Sequence, residues 1–339
     1  MRRPTQNDVA KAAGVSRATV SYVLNGKVDG TIRVSEETRS KILEAMSALG
    51  YRVNLNARGL KTDRTQLIAV LVPDLGNPFY PMLIRGAQRH AHSRGYRLLV
   101  SDSFSSEEGE REFMETALDR IADGLILATS FLDGSDVNAF QDEGIPCVGI
   151  GPLLDGTGID TISIDQEAAV RTLIGHLVRR GHSRIAHLTG DRKNINGRIR
   201  YESFVREAKS RGLALEEGLI LEGDFLREGT AAKVEAWFLA LPERARPTAL
   251  FAANDLMAIE AMKAFRRLGL RVPEDVAVCG FDNIPEAEYV EPPLTTVGFD
   301  VESMGQEAAR LLLDRIEAKS AEPPAEAGLS FELYIRESA

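Results

Sequence analysis

From Gln66 onward the sequence alternates short apolar runs with amphipathic stretches, and no other feature limits the fold as tightly. LIAVLVP, YRLLVSDS, DGLILATS and IPCVGI come first; RIAHLTG, TALFAAND and DVAVCGF come later, each followed by a pattern of helical period. A run apolar at every position suits a strand buried on both faces, and a crossover long enough to hold a helix makes successive strands parallel. This part is therefore expected to be α/β, with parallel sheets between helix layers. Its roughly 270 residues exceed what one such core usually holds, which implies two α/β subdomains. KSAEPPAEAG reads as a solvent-exposed loop, and no internal repeat is visible.

The first 65 residues have a different texture and a different charge. They carry 12 Lys and Arg against 6 Asp and Glu, whereas the remainder carries 29 against 44, so a net charge of −9 conceals a basic head on an acidic body. That split suits a nucleic-acid module joined to a soluble body, although short segments also fluctuate in charge.

The head reads as three short helices. Thr5 with Asp8 three residues on makes a capping-box start for a helix over about 6–13, and Gly14 supplies a left-handed stop. Ser16 caps a second helix through about Leu24. Ser35 caps a third, with Ile42, Leu43, Met46 and Leu49 as its expected buried stripe and Gly50 as its end. On a helical wheel Arg17, Ala18, Ser21, Tyr22 and Asn25 share one arc, while Val20, Val23 and Leu24 lie opposite. A tight helix pair presenting a guanidinium and hydroxyls suits major-groove reading, because arginine pairs bidentately with guanine and hydroxyls suit phosphate oxygens. A helical hairpin with a solvated polar face has the same wheel.

The wording of the segment goes further than its periodicity. DVAKAAGVSRATVSYVLNG closely resembles the head of the lactose/galactose repressor (LacI/GalR) family of bacterial transcription regulators. The resemblance continues through VSEETRSKILEAMSALGY, NLNARGLKT, IAVLVPDLGNPFY, VRRGHSRIAHLTG, ANDLMAIEAMKAFRRLGLRVPEDVAVCGFDN and PPLTTV, and so covers almost the whole chain in family order. It implies an all-α helix-turn-helix DNA-binding headpiece over 1–50, a hinge segment over 51–65, and an effector-binding and dimerisation domain over 66–339. The last is expected to be an α/β, two-lobed, periplasmic-binding-protein-like (type I) domain. Lobe one would hold about 66–160 and 292–318, and lobe two about 161–291 and 319–339.

By the same resemblance Arg17, Ala18 and Tyr22 fall where the family reads bases, and Thr5, Ser16, Thr19, Ser21 and Asn25 where it contacts the DNA backbone or supports the turn. Asn54, Ala57 and Leu60 fall in the hinge that enters the minor groove, with Leu60 as the wedge; an apolar wedge unstacks a base step and bends the duplex. Two departures affect the hinge. Val53 stands where the family commonly has proline, and Gly59 lowers helix propensity by up to ~1 kcal/mol against alanine, so ordering this hinge is expected to be costly. The loop NGKVDGTIR is also longer than in many members.

Ligands of open parallel sheets bind beyond the carboxyl ends of strands, so PDLGNPFY, LTGDRKNINGR, FAANDLM and GFDN supply body candidates from position alone. Arg200 and Asp282 match family positions that hydrogen-bond the effector, and Asn194, Asn196, Phe251, Asn254, Phe79 and Tyr80 lie at or beside further cleft positions. A charged pair with amides and aromatic faces suits a polyol or sugar. Where the family often has an acid after a strand, this chain reads IGPLL and lacks one usual sugar contact.

Other functions are disfavoured. No apolar run nears the ~20 residues of a membrane-spanning helix, so no membrane partner is expected. MRRPTQNDVA has no apolar core behind its basic residues, so no secretory leader is expected, and Cys147 and Cys279 in apolar runs suit reduced thiols in a cytoplasmic chain that joins the nucleoid when bound. Walker, GxSxG, HExxH and GxGxxG patterns are absent, and the five histidines show no ligand spacing, so no catalysis, metal or cofactor is expected beyond a small-molecule effector. The ending ESA carries no leucine heptads, which favours a homodimer over a tetramer. The expected function is a ligand-responsive, sequence-specific DNA-binding regulator, a repressor of a carbohydrate-utilisation operon acting on a palindromic operator. The rivals are a sugar-binding transport component and a regulator controlled by a partner protein.

Overall fold

The computed structural model describes residues 4–25, 34–51, 64–152, 158–318 and 323–339, and the chain divides into two compact units, Met1–Thr65 and Gln66–Ala339. The first unit is helical: α1 (Gln6–Ala13), α2 (Arg17–Asn25) and α3 (Glu36–Leu49). Thr5 and Asp8 form the reciprocal capping box, with Thr5 N–H donating to Asp8 Oδ2 at 2.8 Å and Asp8 N–H to Thr5 Oγ1 at 3.4 Å. Gly14, at φ 66°, accommodates the left-handed turn into α2. Ser16 Oγ accepts from Thr19 N–H at 3.1 Å, and Ser35 Oγ from Thr38 N–H at 3.2 Å.

Val9, Ala10, Val20, Ile42 and Ala45 form the small core of this unit, with Val23, Leu24, Met46 and Tyr51 packed around it. The stripe expected on α3 is only half correct. Leu43 is 50% exposed and Leu49 37%, while Ala45 is buried in their place. Leu43 sits one step, about 100°, off the face of Ile42. Leu49 is on that face but in the last turn, and helices of 8 and 9 residues cannot cover all of a 14-residue one.

The second unit contains two six-stranded sheets. The first is built from β1 (Leu67–Val72), β2 (Arg97–Asp102), β3 (Gly124–Leu127), β4 (Cys147–Ile150), β5 (Asp160–Ile164) and β11 (Glu326–Leu329). Its order is β11-β5-β4-β3-β1-β2 and every pair is parallel. The second holds β6 (Ile185–Thr189), β7 (Ile220–Glu222), β8 (Ala249–Ala252), β9 (Ala277–Asp282), β10 (Thr295–Gly298) and β12 (Glu332–Tyr334). Its order is β12-β10-β9-β8-β6-β7, with only β12 antiparallel to its neighbour.

Strand residues alternate between two helix layers, as a period of two requires. Ile68, Val70 and Val72 face α4 (Phe79–Ser93) and α12 (Val301–Ala318), whereas Ala69 and Leu71 face α5 (Glu107–Leu118) and α6 (Gly134–Asp142). In the second sheet Ala249, Phe251, Cys279 and Phe281 face α7 (Gln166–Arg179) and α8 (Ile195–Ser210). Leu250, Ala252 and Val278 face α9 (Thr230–Ala240) and α10 (Asp255–Arg267), while α11 (Glu286–Tyr289) follows β9. Where helices α4 and α12 cross, a glycine on each faces the backbone of the other. A Cβ on Gly86 would lie 1.9 Å from Glu302 O, and one on Gly305 1.9 Å from Leu83 O, so only glycine permits this approach.

The sheets place the lobe limits differently from the expectation. β5 carries the first lobe to Ile164, β10 keeps Thr295–Gly298 in the second, and β11 returns Glu326–Leu329 to the first. A crossing strand shows in sequence only as a short polar-flecked run such as DTISI or TTVG, and its sheet is set by partners far along the chain. At the start of β5, away from the crossings, Arg315 Nε and Nη2 each donate to the Asp160 carboxylate at 2.8 Å, and Ala325 N–H donates to it at 2.7 Å, which ties β5, α12 and the approach to β11 together.

Candidate functional site

In the helical unit the α2 face is divided as the wheel requires. Arg17 and Ala18 are exposed, Ser21 and Tyr22 half-buried, and Val20 fully buried. The hydroxyls expected at the DNA backbone also stabilise helix starts. Thr5 Oγ1 donates to Asp8 Oδ2 at 2.7 Å, and Ser16 and Thr19 share a hydroxyl contact of 2.8 Å. Asn25 closes α2, but its side chain lies outside the described residues, as do Asn54, Ala57 and Leu60.

In the second unit a cavity of about 200 Å³ lies where loops from both sheets meet. From the first lobe Phe79 and Tyr80 line it, their rings edge-to-face at 5.1 Å. Asn77 Oδ1 accepts Phe79 N–H at 3.1 Å and so fixes the start of α4. From the second lobe come Asn194, Asn196, Arg200, Asn254 and Asp282. Asn194 and Asn254 are N-caps, accepting from Asn196 N–H at 2.8 Å and from Met257 N–H at 2.9 Å. Asn254 Nδ2 is also used, donating to Phe225 O at 2.9 Å.

Phe251 does not line the cavity, contrary to expectation. It is fully buried beneath α7 and α8, with its ring stacked on His187 at 4.5 Å and 7°. The alternation of β8 decides this: Phe251 shares the face of Ala249, and the chain reaches the cavity only past the strand's end, at Asn254. His187 Nδ1 bonds Phe251 O at 2.9 Å, and burial pushes its pKa down to about 4, so it is neutral at pH 7.

Arg200 is the centre of the site. Its Nε donates to Gln166 Oε1 at 2.9 Å, its Nη1 donates to Ala253 O, and its Cζ lies 3.8 Å from the centre of the Phe281 ring. Nη2 stands 3.5 Å from Asp282 Oδ1, an ion pair too long for a good hydrogen bond. Burial pushes the Asp282 carboxyl up to about 6, against the opposing pull of Arg200, and lowers the pKa of Arg200 itself. Burial likewise raises the Tyr80 hydroxyl.

Asp282 has φ 112° and Asn283 φ 53°, backbone that costs non-glycine residues about 1–3 kcal/mol each. Asp255 holds that turn from beneath: Ile284 N–H donates to Oδ2 at 2.9 Å and Thr296 Oγ1 to Oδ1 at 2.6 Å. Burial first, and the neighbouring Asp282 second, push the Asp255 carboxyl well above its usual range.

Several cavity residues were not expected from the sequence, among them Gln166, Ser130 and Phe225. Gln166 bridges Arg200 and Asn196, donating from Nε2 to Asn196 Oδ1 at 2.6 Å. Ser130 follows β3, and Phe225 follows the three-residue β7. Ser130 was within reach, since it ends the quoted run DGLILATS and therefore sits at a strand's carboxyl end. Phe225 and Gln166 follow strands too short or too polar to see.

Residues 5–54 match the family described as bacterial regulatory proteins, lacI family, and residues 174–339 match the periplasmic binding protein-like domain. The transcriptional regulator DegA of Bacillus subtilis (strain 168) is 35% identical over 314 residues, which are 91% of this chain and 90% of that protein. The chain belongs to the LacI family. Among solved structures, the lac repressor dimer bound to operator and the anti-inducer ONPF superposes with a TM-score of 0.84 at 28% identity, over 99% of both chains. A complex of the transcriptional regulator CelR with cellobiose gives a TM-score of 0.73 at 31% identity, over 99% of this chain and all of that one. This LacI-family member is thus a helix-turn-helix transcription regulator with a two-sheet, periplasmic-binding-protein-like body.

Proposed function

We propose that the protein is a cytoplasmic repressor of a carbohydrate-utilisation operon, bound as a homodimer to a palindromic operator and controlled by a sugar or sugar derivative. The observation that carries this reading is the buried Arg200–Asp282 pair at a cavity lined by strand ends of both sheets. At 3.5 Å the pair leaves a donor and an acceptor incompletely satisfied, and two neighbouring ligand hydroxyls would complete both. Phe79 and Tyr80 offer faces for the C–H side of a sugar ring, and the CelR complex with cellobiose supports that ligand class.

On DNA, Arg17, Ala18 and Tyr22 read bases, and Thr5, Ser16, Thr19, Ser21 and Asn25 meet the backbone. Asn54, Ala57 and Leu60 enter the minor groove from the 51–65 hinge, which joins the 1–50 headpiece to the 66–339 effector domain. One headpiece buries too little surface for specific affinity, so two read two half-sites. The effector acts by biasing the angle between the lobes, and by linkage it changes DNA affinity as much as DNA changes effector affinity.

The test is selection of source-genome fragments by the full-length protein at near-physiological salt, followed by sequencing. A palindromic site, released or tightened by a sugar used by the neighbouring genes, is the expected result. No enrichment over bulk DNA would overturn the operator reading. Enrichment altered by cell extract but by no sugar would replace the effector with a partner protein.

A further inference from the structure

The segment after β3 is held against the cavity by one side chain behind it. Glu110, on α5 and 0% exposed, accepts three successive backbone N–H groups: Ser130 on Oε1 at 2.7 Å, and Phe131 and Leu132 on Oε2 at 3.0 Å each. Ser130 and Phe131 line the cavity. The Ser130 hydroxyl in turn accepts from Asn194 Nδ2 at 2.7 Å. Ser130 follows a strand of the first sheet and Asn194 caps a helix of the second lobe, so this bond joins the lobes directly.

The anchor cannot drift with the loop. Ser106 caps α5 by accepting Gly109 N–H at 3.0 Å, and its hydroxyl donates to Ser103 O at 2.8 Å. The helix start is pressed so close that a Cβ on Gly109 would lie 2.4 Å from Ser103 O. A buried carboxylate is costly unless satisfied, and here three charge-assisted bonds oppose the burial that pushes its pKa up. Glutamine is no substitute, because an amide has one accepting atom and a donor where the other oxygen stood. Such a side chain would face at least one backbone N–H with its own N–H.

We propose that Glu110 is a positioning residue of the cleft, holding the loop so that Ser130 meets Asn194 and thereby setting how far the two lobes close. Its consequence for effector affinity rests on the reading of this cavity as the effector site, but the contact itself does not.

The experiment compares the full-length wild type with Glu110→Gln and Ser130→Ala, without any ligand. Amide hydrogen exchange reads the loop. Spin labels on Glu115→Cys and Lys209→Cys, one in each lobe and both exposed, read closure, since Cys147 and Cys279 are buried. In Glu110→Gln, exchange at Ser130, Phe131 and Leu132 should speed on the order of tenfold while Leu125–Leu127 of β3 keep their protection, and the label distance should change. Ser130→Ala keeps the backbone amides, so the distance should change with exchange at Phe131 and Leu132 unaltered. Unchanged exchange in Glu110→Gln, or equal acceleration in β3, would reduce Glu110 to an ordinary core residue. An unchanged distance in Ser130→Ala would remove the bond between lobes. Neither readout involves a sugar, so a failure to find the effector leaves this result standing on its own.

Discussion

Arg200 and Asp282 face each other at 3.5 Å with both side chains 9% exposed, yet they do not make a tight bidentate pair. Arg200 spends its other donors on Gln166 and Ala253 O, and Asp282 is held on a strained turn by the buried Asp255. The pair is thus fixed by its surroundings rather than by its own attraction, which leaves it poised for a third group. Asp282→Ala should therefore leave operator binding within about twofold and abolish its response to the effector, measured by fluorescence anisotropy of labelled operator with and without sugar. A retained response would remove Asp282 from the cleft.

The pH dependence of the effector follows from the direction of the Asp282 shift. Burial raises its carboxyl to about 6, so the neutral form is favoured in the folded protein below that pH. A sugar hydroxyl donates to the ionised form, so binding must drive the proton off. Effector affinity should hold above pH 7 and weaken as pH falls through about 6, by up to about tenfold per pH unit if one proton is released. Stability moves the other way. The folded state keeps the proton over the window from the ordinary carboxylate pKa up to about 6, so the wild type should lose stability relative to Asp282→Asn as pH rises through it. Calorimetric titration and denaturant melts at several pH values separate the two effects.

Arg17 tests the headpiece. Its side chain is exposed at the first turn of α2, beside the exposed Ala18 and behind the cap of Ser16. Arg17→Ala should cost about 1–3 kcal/mol on operator DNA and relax the preference at one base of each half-site. Uniform weakening on all sequences, with a shallower salt slope, would make Arg17 a phosphate contact instead.

Phe251 belongs to the core of the second lobe and not to the cavity wall. Phe251→Ala should destabilise the second lobe by about 3–5 kcal/mol through the space left against His187 and Phe204, while effector affinity of the folded fraction stays unchanged. An affinity loss larger than the stability loss explains would return Phe251 to the binding surface.

Phe251 also shows what the sequence can and cannot convey. The strand TALFAAND was legible from its apolar run, and Asn254 from its place beyond the strand's end. Which face Phe251 took depended on the layer above β8, and that layer is assembled from α7 and α8, far away in sequence. The strong runs β1, β3, β8 and β9 are central and buried on both sides, so composition reveals them. β7, β11 and β12 are edge strands with charged residues and partial exposure, so they resemble loops. The same reason hid Gln166 and Glu110: a polar residue gains its role from partners that arrive only with the tertiary fold. In the headpiece the capping residues Thr5, Ser16 and Ser35 act within three positions, and these local starts were legible from the residues alone.

The buried ion pair at the start of β5 gives a last prediction. Asp160 is 2% exposed at the start of β5, and its carboxylate receives Nε and Nη2 of Arg315 and the N–H of Ala325. Three separate stretches of chain, β5, α12 and the approach to β11, therefore converge on one buried anion at the end of the first lobe away from the crossings, which follow Ile164, Gly298 and Leu329. Arg315→Ala leaves that anion short of its counter-charge, and unpaired buried charges cost about 3–5 kcal/mol. Because the Arg315 side chain is 22% exposed, solvent will recover part of this, and a loss of about 2–3 kcal/mol is expected. Asp160→Asn in the Arg315→Ala background removes the orphaned charge and should restore part of the loss. Chemical denaturation of the four proteins of that cycle measures the coupling. Coupling below about 0.5 kcal/mol would mean that the strand pairing of β5 with β4 and β11, not the ion pair, holds β5 in place.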